Sequence, residues 1–326
     1  MPPHDELTFP KAGPVISIGE CMVELARGPD GRFALAYGGD TFNTAVYMAR
    51  SGAKVAYATA LGDDAYSDGI RALAIAEGVS GDLIGTKPGR MPGLYLIETS
   101  PSGERSFAYW RDRAPARELF DGGGDPDLLA AMVAARLIYF SGVTLSLYSE
   151  AGRKAFAAAL SAARAQGVRV AMDNNFRLRG WGGDAATARA NARPVFERFW
   201  RLADIALPTF DDEQALWGDA DPAATVSRLA ACGVSEIVVK NGADGALLHQ
   251  RRSGLSVVVA CPGLIKPIDT TAAGDAFNGG YLAARLRGEM PTTAALAGHR
   301  LAGIVIQHRG AIVPRHATAA MGVKCV

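Results

Sequence analysis

Short apolar runs alternate with longer alanine-rich segments along most of this chain, and this pattern limits the possible folds. Short runs are typical of buried strands, and longer periodic segments are typical of helices. Such alternation predicts an α/β protein with a mostly parallel central sheet and helices on both faces. The predicted strands are Val15–Ile18, Val55–Ala60, Leu137–Ser141, Val168–Asp173, Ile205–Leu207 and Glu236–Lys240. The predicted helices are Thr41–Ser51, Asp68–Glu77, Ala151–Gln166, Asp184–Arg201, Asp212–Leu216, Ala223–Cys232 and residues 274–287 and 293–308.

Two extended pairs interrupt this alternation. Leu94–Thr99 and Arg105–Arg111 flank the turn sequence Pro101-Ser-Gly-Glu104, which is typical of a β-hairpin. Met22–Arg27 and Arg32–Tyr37 flank a second turn and can pair with the hairpin. The sequence therefore predicts a small β lid on the α/β body.

We expect one domain over residues 1–326, with lid segments inserted at about 22–37 and 92–113. Residues 1–12 and 319–326 are expected to be loose tails. A lid of this kind exposes one face, so we expect a homo-oligomer in which a partner subunit covers it.

Composition excludes several classes of protein. The 326 residues are 49% hydrophobic and 21% charged, which is ordinary for a globular protein with a sizeable core. The formal net charge of +1 gives no support to a nucleic-acid partner. No apolar run reaches membrane-spanning length, and the first residues do not resemble a signal peptide. The four cysteines lack disulfide or metal spacing, so we expect a cytoplasmic protein.

The segment Asp269-Thr-Thr-Ala-Ala-Gly-Asp275 predicts a turn of small residues that leads into a helix. Ala272, Ala273 and Gly274 let a ligand approach the backbone N–H groups, which are unpaired at a helix start. The helix macrodipole adds partial positive charge there, so the segment suits a phosphoryl group. Asp275 would repel a bound phosphate unless it takes a proton from an attacking hydroxyl. The alternative is that Asp275 only complements the helix dipole.

A second glycine-rich turn, Gly38-Gly39-Asp40, precedes another predicted helix. The glycines could seat a small polar ligand on the backbone, with Asp40 and Asn43 bonding its hydroxyls. The alternative is that Asp40 caps the helix.

Tyr109 and Arg111 lie on one face of the hairpin's second strand because side chains alternate along a strand. If that face points into the cleft, it offers a phenol and a guanidinium to an anionic ligand. This arrangement favours a substrate with a carboxylate over a neutral sugar.

Polar residues also follow two predicted core strands, at the edge where parallel sheets bind ligands. After one strand come Asp173, Asn175 and Arg177, and Arg177 could bind a phosphate or a substrate carboxylate. The alternative is a loop held by its own hydrogen bonds. After the other come Lys240, Asn241 and Gly242, which could meet phosphates or ribose, with Gly245 permitting close approach. Without a nucleotide this second segment is only a hairpin.

Two nucleotide-binding fingerprints are absent from the sequence. No Gly-x-Gly-x-x-Gly follows the first predicted strand, which disfavours a nicotinamide dehydrogenase. No Gly-x-x-x-x-Gly-Lys-Ser/Thr occurs, so a P-loop is excluded.

Together, these motifs resemble the ribokinase-like (PfkB) family of sugar kinases from about Val15 to Arg315. One family signature is similar to Gly38–Gly62 and the other to Asp269–Leu282. The resemblance implies a ribokinase-like fold, with Asp275 as the base and Ala272, Ala273 and Gly274 as the anion hole. Ala272 replaces a glycine of the family pattern. Thr209 and Asp212 replace its Asn-x-x-Glu pair, so we assign no metal ligand.

Five segments are similar to family members that phosphorylate a keto-deoxy sugar acid: Ile18–Glu24, Tyr109–Arg111, Asp173–Arg177, Asp211–Gly218 and Asp269–Asp275. The resemblance implies ATP- and Mg²⁺-dependent phosphorylation of 2-keto-3-deoxy-D-gluconate. The substrate residues it implies are Gly38, Gly39, Asp40, Asn43, Tyr95, Tyr109, Arg111, Arg177 and Asp275. The nucleotide residues it implies are Asn175, Arg177, Lys240, Gly242, Asp244, Gly245, Thr271, Ala272, Ala273 and Gly274, with residues 299–310 flanking the purine.

Other functions stay open at this point. One is a kinase of the same family acting on fructose, ribose or a nucleoside, against which Arg111 and Arg177 argue because a neutral sugar offers them no counter-charge. Another is a sugar- or nucleotide-binding protein without catalysis. Dependence on a monovalent cation and the choice between gluconate- and galactonate-derived acids are not determined by the sequence.

Overall fold

The computed structural model describes residues 7–28, 30–99, 105–263 and 265–321, and its strands form two separate sheets. The strands are β1 (Val15–Ile18), β2 (Met22–Arg27), β3 (Phe33–Gly38), β4 (Val55–Leu61), β5 (Val79–Ser80), β6 (Ile84–Thr86), β7 (Leu94–Thr99), β8 (Arg105–Trp110), β9 (Leu137–Ser141), β10 (Arg169–Asp173), β11 (Ile205–Ala206), β12 (Glu236–Lys240), β13 (Ala246–Gln250) and β14 (Leu255–Val259). The main sheet has the order β14-β13-β12-β11-β10-β9-β1-β4-β5, with β6 also paired to β4. All its pairings are parallel except those that β13 makes with β12 and β14.

Ten α-helices connect these strands in the described ranges. They are α1 (Asp40–Arg50), α2 (Ala65–Ala76), α3 (Pro126–Ala134), α4 (Gly142–Leu147), α5 (Glu150–Ala165), α6 (Ala185–Trp200), α7 (Phe210–Trp217), α8 (Pro222–Ala231), α9 (Ala273–Leu286) and α10 (Pro291–Val305). Short 3-10 turns occur at Pro115–Glu118, Asp121–Gly123, Leu178–Trp181, Gly242–Asp244 and Arg315–Met321. Within the described residues, none of the helices has the length and apolar character needed to cross a bilayer.

Helices cover both faces of the main sheet, because alternate strand residues point to opposite sides. In β9, Ile138 and Phe140 pack into a core with α3, α5, α6 and α8. Leu137 and Tyr139 of the same strand pack into a second core with α1, α2, α9 and α10. The expected α/β architecture with two buried helical layers is therefore confirmed.

The smaller sheet, with the order β3-β2-β7-β8, is built from the segments predicted to form a β lid, and we call it the lid below. Strands β2 and β3 are antiparallel, as are β7 and β8, while β2 and β7 pair in parallel. The predicted turn at residues 101–104 lies outside the described residues. In register, Glu24 pairs with Ala36 and Tyr95, and Tyr95 pairs with Tyr109, so these residues share one face of the lid.

The predicted N-terminal tail is partly wrong. Leu7 is buried, the Lys11 Nζ atom donates to the Val133 carbonyl at 2.6 Å, and the Thr8 carbonyl accepts from Arg169 Nε at 2.8 Å. Residues 7–12 therefore lie against the body, and residues 1–6 are outside the described ranges. At the other end, Thr318 is buried and accepts from Arg50 Nη1 at 3.3 Å, so the chain remains packed close to the second predicted tail.

Candidate active site

The first turn of α9 is a bend of small residues, as predicted. Ala272 has φ 60° and ψ 16°, in the left-handed region, and the helix begins at the next residue. Asp269 holds this bend, because its two carboxylate oxygens accept from Thr271 N at 2.8 Å and from Gly310 N at 2.9 Å. The loop geometry is thus fixed by the protein itself before any ligand binds.

The free N–H groups differ from those expected. Ala273 N donates to the Thr270 carbonyl at 3.2 Å, so this predicted member of the anion hole is already occupied. The backbone N–H groups of Ala272, Gly274 and Asp275 have no acceptor within the described residues. These three groups, at the positive end of the helix dipole, are the donors available to an anion.

Asp275 lies beside these donors and bonds to the glycine-rich turn. Its Oδ2 atom accepts from Asn43 Nδ2 at 2.8 Å, which brings together two motifs far apart in sequence. Burial raises the pKa of Asp275 from 3.8 to about 7; the negative charge of Asp40 adds to this effect, and the Asn43 hydrogen bond opposes it. A carboxyl group with a pKa near neutrality is suited to general-base catalysis.

Asp40 links helix α1 to the loop after β10. One of its carboxylate oxygens accepts from Thr41 N at 2.8 Å and the other from Asn175 Nδ2 at 2.5 Å. Asn175 has φ 28°, an unusual backbone conformation for a residue other than glycine and one that tends to occur at functional sites. The structure therefore places Asp40, Asn43, Asn175 and Asp275 around one site.

The two glycines before α1 have different roles. A Cβ atom at Gly39 would lie 2.0 Å from the Glu20 carbonyl oxygen, so close backbone packing alone requires this glycine. A Cβ atom at Gly38 would lie 3.0 Å from the Tyr95 hydroxyl and 3.6 Å from Asn43 Oδ1. Gly38 therefore lies against the polar groups of the predicted substrate site, and the Gly39 backbone N–H also donates to Asn43 Oδ1 at 3.5 Å.

The lid contributes a stack of aromatic rings capped by a guanidinium. The rings of Tyr95 and Tyr109 are stacked with centroids 5.9 Å apart, and Arg111 Cζ lies 5.9 Å from the Tyr109 ring. Tyr109 and Arg111 thus share a face, as the strand period predicted.

Two buried glutamates lie beneath this stack and were not assigned a role from the sequence. Glu20 forms an ion pair with Arg111, and Glu24 accepts a hydrogen bond from the Tyr95 hydroxyl. The segment Ile18–Glu24 contributed to the family resemblance, but nothing in it indicated which lid residues these carboxylates would meet.

The charge argument against a neutral sugar is wrong in its premise. Arg111 is paired with Glu20, and Arg177 Nη1 donates to both oxygens of Asp212 at 2.9 and 3.1 Å. Each guanidinium therefore has a counter-charge within the protein. The Arg177 side chain is still 60% exposed, so it remains accessible to a ligand.

Arg179 is a contact between lid and body that sequence reasoning missed. From the turn Leu178–Trp181, its Nη1 atom donates to the Phe107 carbonyl at 3.2 Å, and its Cζ atom lies 5.8 Å from the Tyr109 ring. The sequence offered no signal for this contact, because Arg179 belongs to a 3-10 turn and not to an extended strand.

Lys240 does not extend into an open phosphate site. Its Nζ atom is buried and donates to Asp173 Oδ2 at 2.8 Å and to Asn278 Oδ1 at 3.0 Å. A Cβ atom at Gly274 would lie 3.5 Å from this nitrogen, so Lys240 lies directly against the start of α9. Lys240 is therefore part of a buried ion pair next to the predicted anion hole, and its contact with a phosphate stays a prediction.

The loop after β12 keeps some of the expected features of a nucleotide site. Gly242 has φ 53° with nothing within 4 Å of a potential Cβ, and Asp244 is exposed beside it. Glycine at position 245 is explained by packing within the protein, since a Cβ atom there would lie 2.3 Å from the Val259 carbonyl oxygen. Ile265 and Ile268 are 40% and 62% exposed, and a Cβ at Gly303 of α10 would lie 3.0 Å from Ile265 Cδ1. This exposed apolar surface suits a purine ring.

Within the described ranges, no three His, Cys, Asp or Glu side chains are arranged to hold a metal ion. A Mg²⁺ ion that arrives with nucleotide phosphates needs only one or two protein carboxylates, because phosphate and water oxygens complete its shell. The residues present are compatible with that mode of binding.

The chain is similar to known carbohydrate kinases in sequence and in fold. The family description "pfkB family carbohydrate kinase" matches residues 14–318. The 2-dehydro-3-deoxygluconokinase of Dickeya dadantii is 41% identical over 310 residues, which cover 93% of this chain and 97% of that protein. Two solved structures share the fold. The 2-dehydro-3-deoxygluconokinase of Thermotoga maritima has a TM-score of 0.80 and 21% identity, over 95% of this chain and 99% of the other. An ATP-bound fructokinase of Xylella fastidiosa has a TM-score of 0.76 and 22% identity, over 94% and 97%.

The chain belongs to the pfkB family of carbohydrate kinases. The ribokinase-like fold expected from the two signatures is confirmed.

Proposed function

We propose that this kinase phosphorylates the terminal hydroxyl of 2-keto-3-deoxy-D-gluconate (also called 2-dehydro-3-deoxygluconate) with ATP, giving the 6-phosphate. The observation that carries the proposal is the contact between Asp275 and Asn43, which joins a base and an anion hole to the predicted sugar cradle. The 41% identity to the Dickeya dadantii enzyme over nearly the whole chain supports the choice of substrate.

In the proposed mechanism, Asp275 takes the proton of the substrate hydroxyl as that oxygen attacks the γ-phosphorus in line and ADP departs. The N–H groups of Ala272, Gly274 and Asp275 stabilise the developing negative charge without having to reorganise. Bound Mg²⁺ supplies further charge neutralisation on the phosphates. The lid excludes water, which limits hydrolysis of ATP.

The proposed carboxylate site consists of Tyr95, Tyr109, Arg111 and Arg177. The guanidiniums of Arg111 and Arg177 already form ion pairs with Glu20 and Asp212. In the proposed complex, the substrate carboxylate binds these guanidiniums either alongside the two protein carboxylates or in their place. Each planar guanidinium has five donors and can serve two carboxylates at once. The proposed nucleotide site lies along Gly242–Gly245 and Thr271–Gly274, with Ile265 and Ile268 against the purine.

The same ion pairs favour a second candidate, a kinase of a neutral sugar such as fructose or ribose. With Arg111 and Arg177 neutralised by Glu20 and Asp212, the cleft does not require an anionic substrate. A coupled ADP-release assay with Mg-ATP separates the candidates. Its substrates are 2-keto-3-deoxygluconate, 2-keto-3-deoxygalactonate, gluconate, fructose, ribose and adenosine. We expect fast turnover only with the keto-deoxy acids. Fast turnover of fructose or ribose would establish the second candidate, and no turnover would favour a binding protein.

We further propose a cytoplasmic homo-oligomer formed through the lid. The lid face opposite the tyrosine stack carries Leu25, Leu35, Leu96 and Trp110, which lie close together through the strand register. Leu35 is 51% exposed and Trp110 60% exposed. An apolar face of this kind is typical of a protein–protein contact.

A further inference from the structure

Asp173, Lys240 and Asn278 form a buried polar cluster beneath the first turn of α9. Lys240 Nζ donates to Asp173 Oδ2 at 2.8 Å and to Asn278 Oδ1 at 3.0 Å. Asn278 Nδ2 donates to the same Asp173 oxygen at 2.5 Å. The three residues are 4%, 7% and 0% exposed, in sequence order. A buried ion pair and amide of this kind are costly unless their geometry is good, so the arrangement is strongly constrained.

The cluster joins several elements that build the site. Asp173 ends β10, Lys240 ends β12, and Asn278 belongs to α9. Asn278 Nδ2 also lies 3.0 Å from the Tyr139 hydroxyl of β9, which is 3.3 Å from Thr44 Oγ1 of α1. A change in the cluster would therefore alter the contacts of both α1 and α9, the two helices that form the site.

The cluster is also adjacent to the proposed base. Asn278 lies three residues after Asp275, and residues at this spacing share a helix face. Lys240 Nζ lies against Gly274, and within the described residues only two of its three N–H donors have an acceptor. The third donor belongs to a buried ammonium at the edge of the anion hole.

We propose that Lys240 is a positioning residue for phosphoryl transfer: its buried ammonium balances the charge of Asp173 and, through Asn278, fixes the turn that carries Asp275. The inference rests on the proposed function, because it concerns how Asp275 is kept able to accept a proton.

The electrostatics around Asp275 support this role. The titratable groups that face it are Asp40 and Tyr47 of α1, Tyr139 of β9, Asp173 of β10 and Lys240 of β12. The negative charges of Asp40 and Asp173 raise the pKa of Asp275, whereas the positive charge of Lys240 lowers it. Without Lys240, Asp173 would be an unbalanced anion, and Asp275 would hold its proton more tightly.

The test is the pH dependence of kcat/KM for the sugar acid in Lys240→Met, in Asp173→Asn and in the double variant. We expect kcat/KM to fall at acid pH as Asp275 becomes protonated, and we call this part of the profile the acid limb. Lys240→Met should move the acid limb to higher pH, so that the activity lost relative to wild type is roughly tenfold greater at about pH 6 than at about pH 8.5. Asp173→Asn should move the limb to lower pH, because a nearby negative charge is removed. The double variant, which keeps no net charge at the pair, should return the limb towards that of the wild type.

Arg50→Met is the matched control, because it removes a buried guanidinium paired with Glu77 at 2.8 Å, outside the cluster. It should lower Tm and leave the acid limb unmoved.

An equal loss of activity at every pH in Lys240→Met and Asp173→Asn would overturn the proposal and leave the cluster with a purely structural role. If Lys240→Met does not fold, Asp173→Asn alone decides: a limb at lower pH supports the proposal and an unmoved limb contradicts it. Failure of the proposed function is separate, since wild-type protein would then show no turnover of the sugar acid.

Discussion

At the residue scale, the burial of Asp275 has opposite effects on catalysis and on the stability of the fold. Burial raises the pKa of this carboxyl from 3.8 to about 7, so close to neutral pH it is partly ionised and still accepts a proton readily. The same burial makes the ionised form costly in the folded protein. Catalytic groups of this kind commonly reduce stability.

That cost predicts a pH-dependent gain in stability for Asp275→Asn. Because the folded-state pKa of Asp275 is raised, the folded protein binds more protons than the unfolded chain between about pH 4 and pH 7. The contribution of this group to stability is therefore complete below about pH 4 and is lost progressively as the pH rises through about 7. Asparagine stays neutral, so the variant should gain ~2 °C or more in Tm at about pH 8 and much less at about pH 5. Calorimetry at the two pH values measures the difference. A lower Tm at the higher pH would contradict the account.

Ala272 gives a second prediction at this scale. A left-handed backbone conformation costs an L-residue roughly 1–2 kcal/mol, whereas glycine adopts it freely but loses more entropy on folding. Ala272→Gly should therefore leave the free energy of unfolding unchanged or raise it by up to ~1 kcal/mol, with kcat retained. Ala273→Gly is the control, because that residue begins the helix proper and should lose stability. Urea unfolding distinguishes the two, and a clear loss of stability in Ala272→Gly would show that the methyl group has a packing role.

The sequence predicted the residues of the site better than their partners. Asp275, Asn43 and Asp40 were selected from the sequence because glycine turns and helix starts leave local signals, and the structure brings them together. The partners of Arg111 and Arg177 left no such signal: Glu20 comes from the end of a distant strand, and Asp212 is 35 residues from Arg177. The buried partners of Lys240 left no signal for the same reason, since they depend on how β10, β12 and α9 pack.

At the element scale, long and strongly periodic segments were predicted to within a few residues. Helix α5 was expected at Ala151–Gln166 and occurs at Glu150–Ala165, and β12 has the expected bounds. Helix α4 was missed because Gly142-Val-Thr-Leu-Ser-Leu147 is short and contains poor helix formers. Its start has the Ser141–Thr144 capping pair, in which Thr144 N donates to Ser141 Oγ at 3.3 Å, and this local cap was the overlooked signal.

The lid predicts how substrate charge is recognised. Arg111→Ala removes a charge-assisted hydrogen bond worth roughly 1.5–3 kcal/mol, so kcat/KM for 2-keto-3-deoxygluconate should fall by about one to two decades. The change also leaves Glu20 buried without its cation, which adds repulsion toward the substrate carboxylate. Arg111→Ala combined with Glu20→Gln should therefore recover part of the loss. An unchanged kcat/KM in Arg111→Ala would place the carboxylate elsewhere.

At the scale of the whole molecule, the main sheet brings the ends of β1, β9, β10 and β12 to one edge, and the lid carries its tyrosine stack on the face that meets them. The opposite lid face leaves Leu35 and Trp110 exposed, and we propose that a second subunit covers them. The parallel sheet could be predicted from the alternation of elements. The number and arrangement of subunits could not, because the sequence of one chain does not show how copies of it pack together.

Charged substitutions on the lid test the assembly. Leu35→Glu combined with Trp110→Glu should convert an oligomer to monomers in sedimentation equilibrium, because two charges would be buried in the contact. Val258→Glu is the control, since Val258 is 63% exposed on β14 of the main sheet and lies outside the lid. A wild-type protein that is monomeric at high concentration, or an oligomer unaffected by the lid substitutions, would contradict this arrangement.

The central claim is that Asp275 is the base in phosphoryl transfer to a keto-deoxy sugar acid. The most direct test is the ADP-release rate of wild type and Asp275→Asn with 2-keto-3-deoxygluconate, measured from about pH 5.5 to pH 9. The account predicts a wild-type acid limb near pH 7 and a loss of ~10²–10⁴ in kcat for Asp275→Asn, with that limb abolished. A folded Asp275→Asn variant with near-normal kcat, or one that keeps the same acid limb, would show that another group accepts the proton.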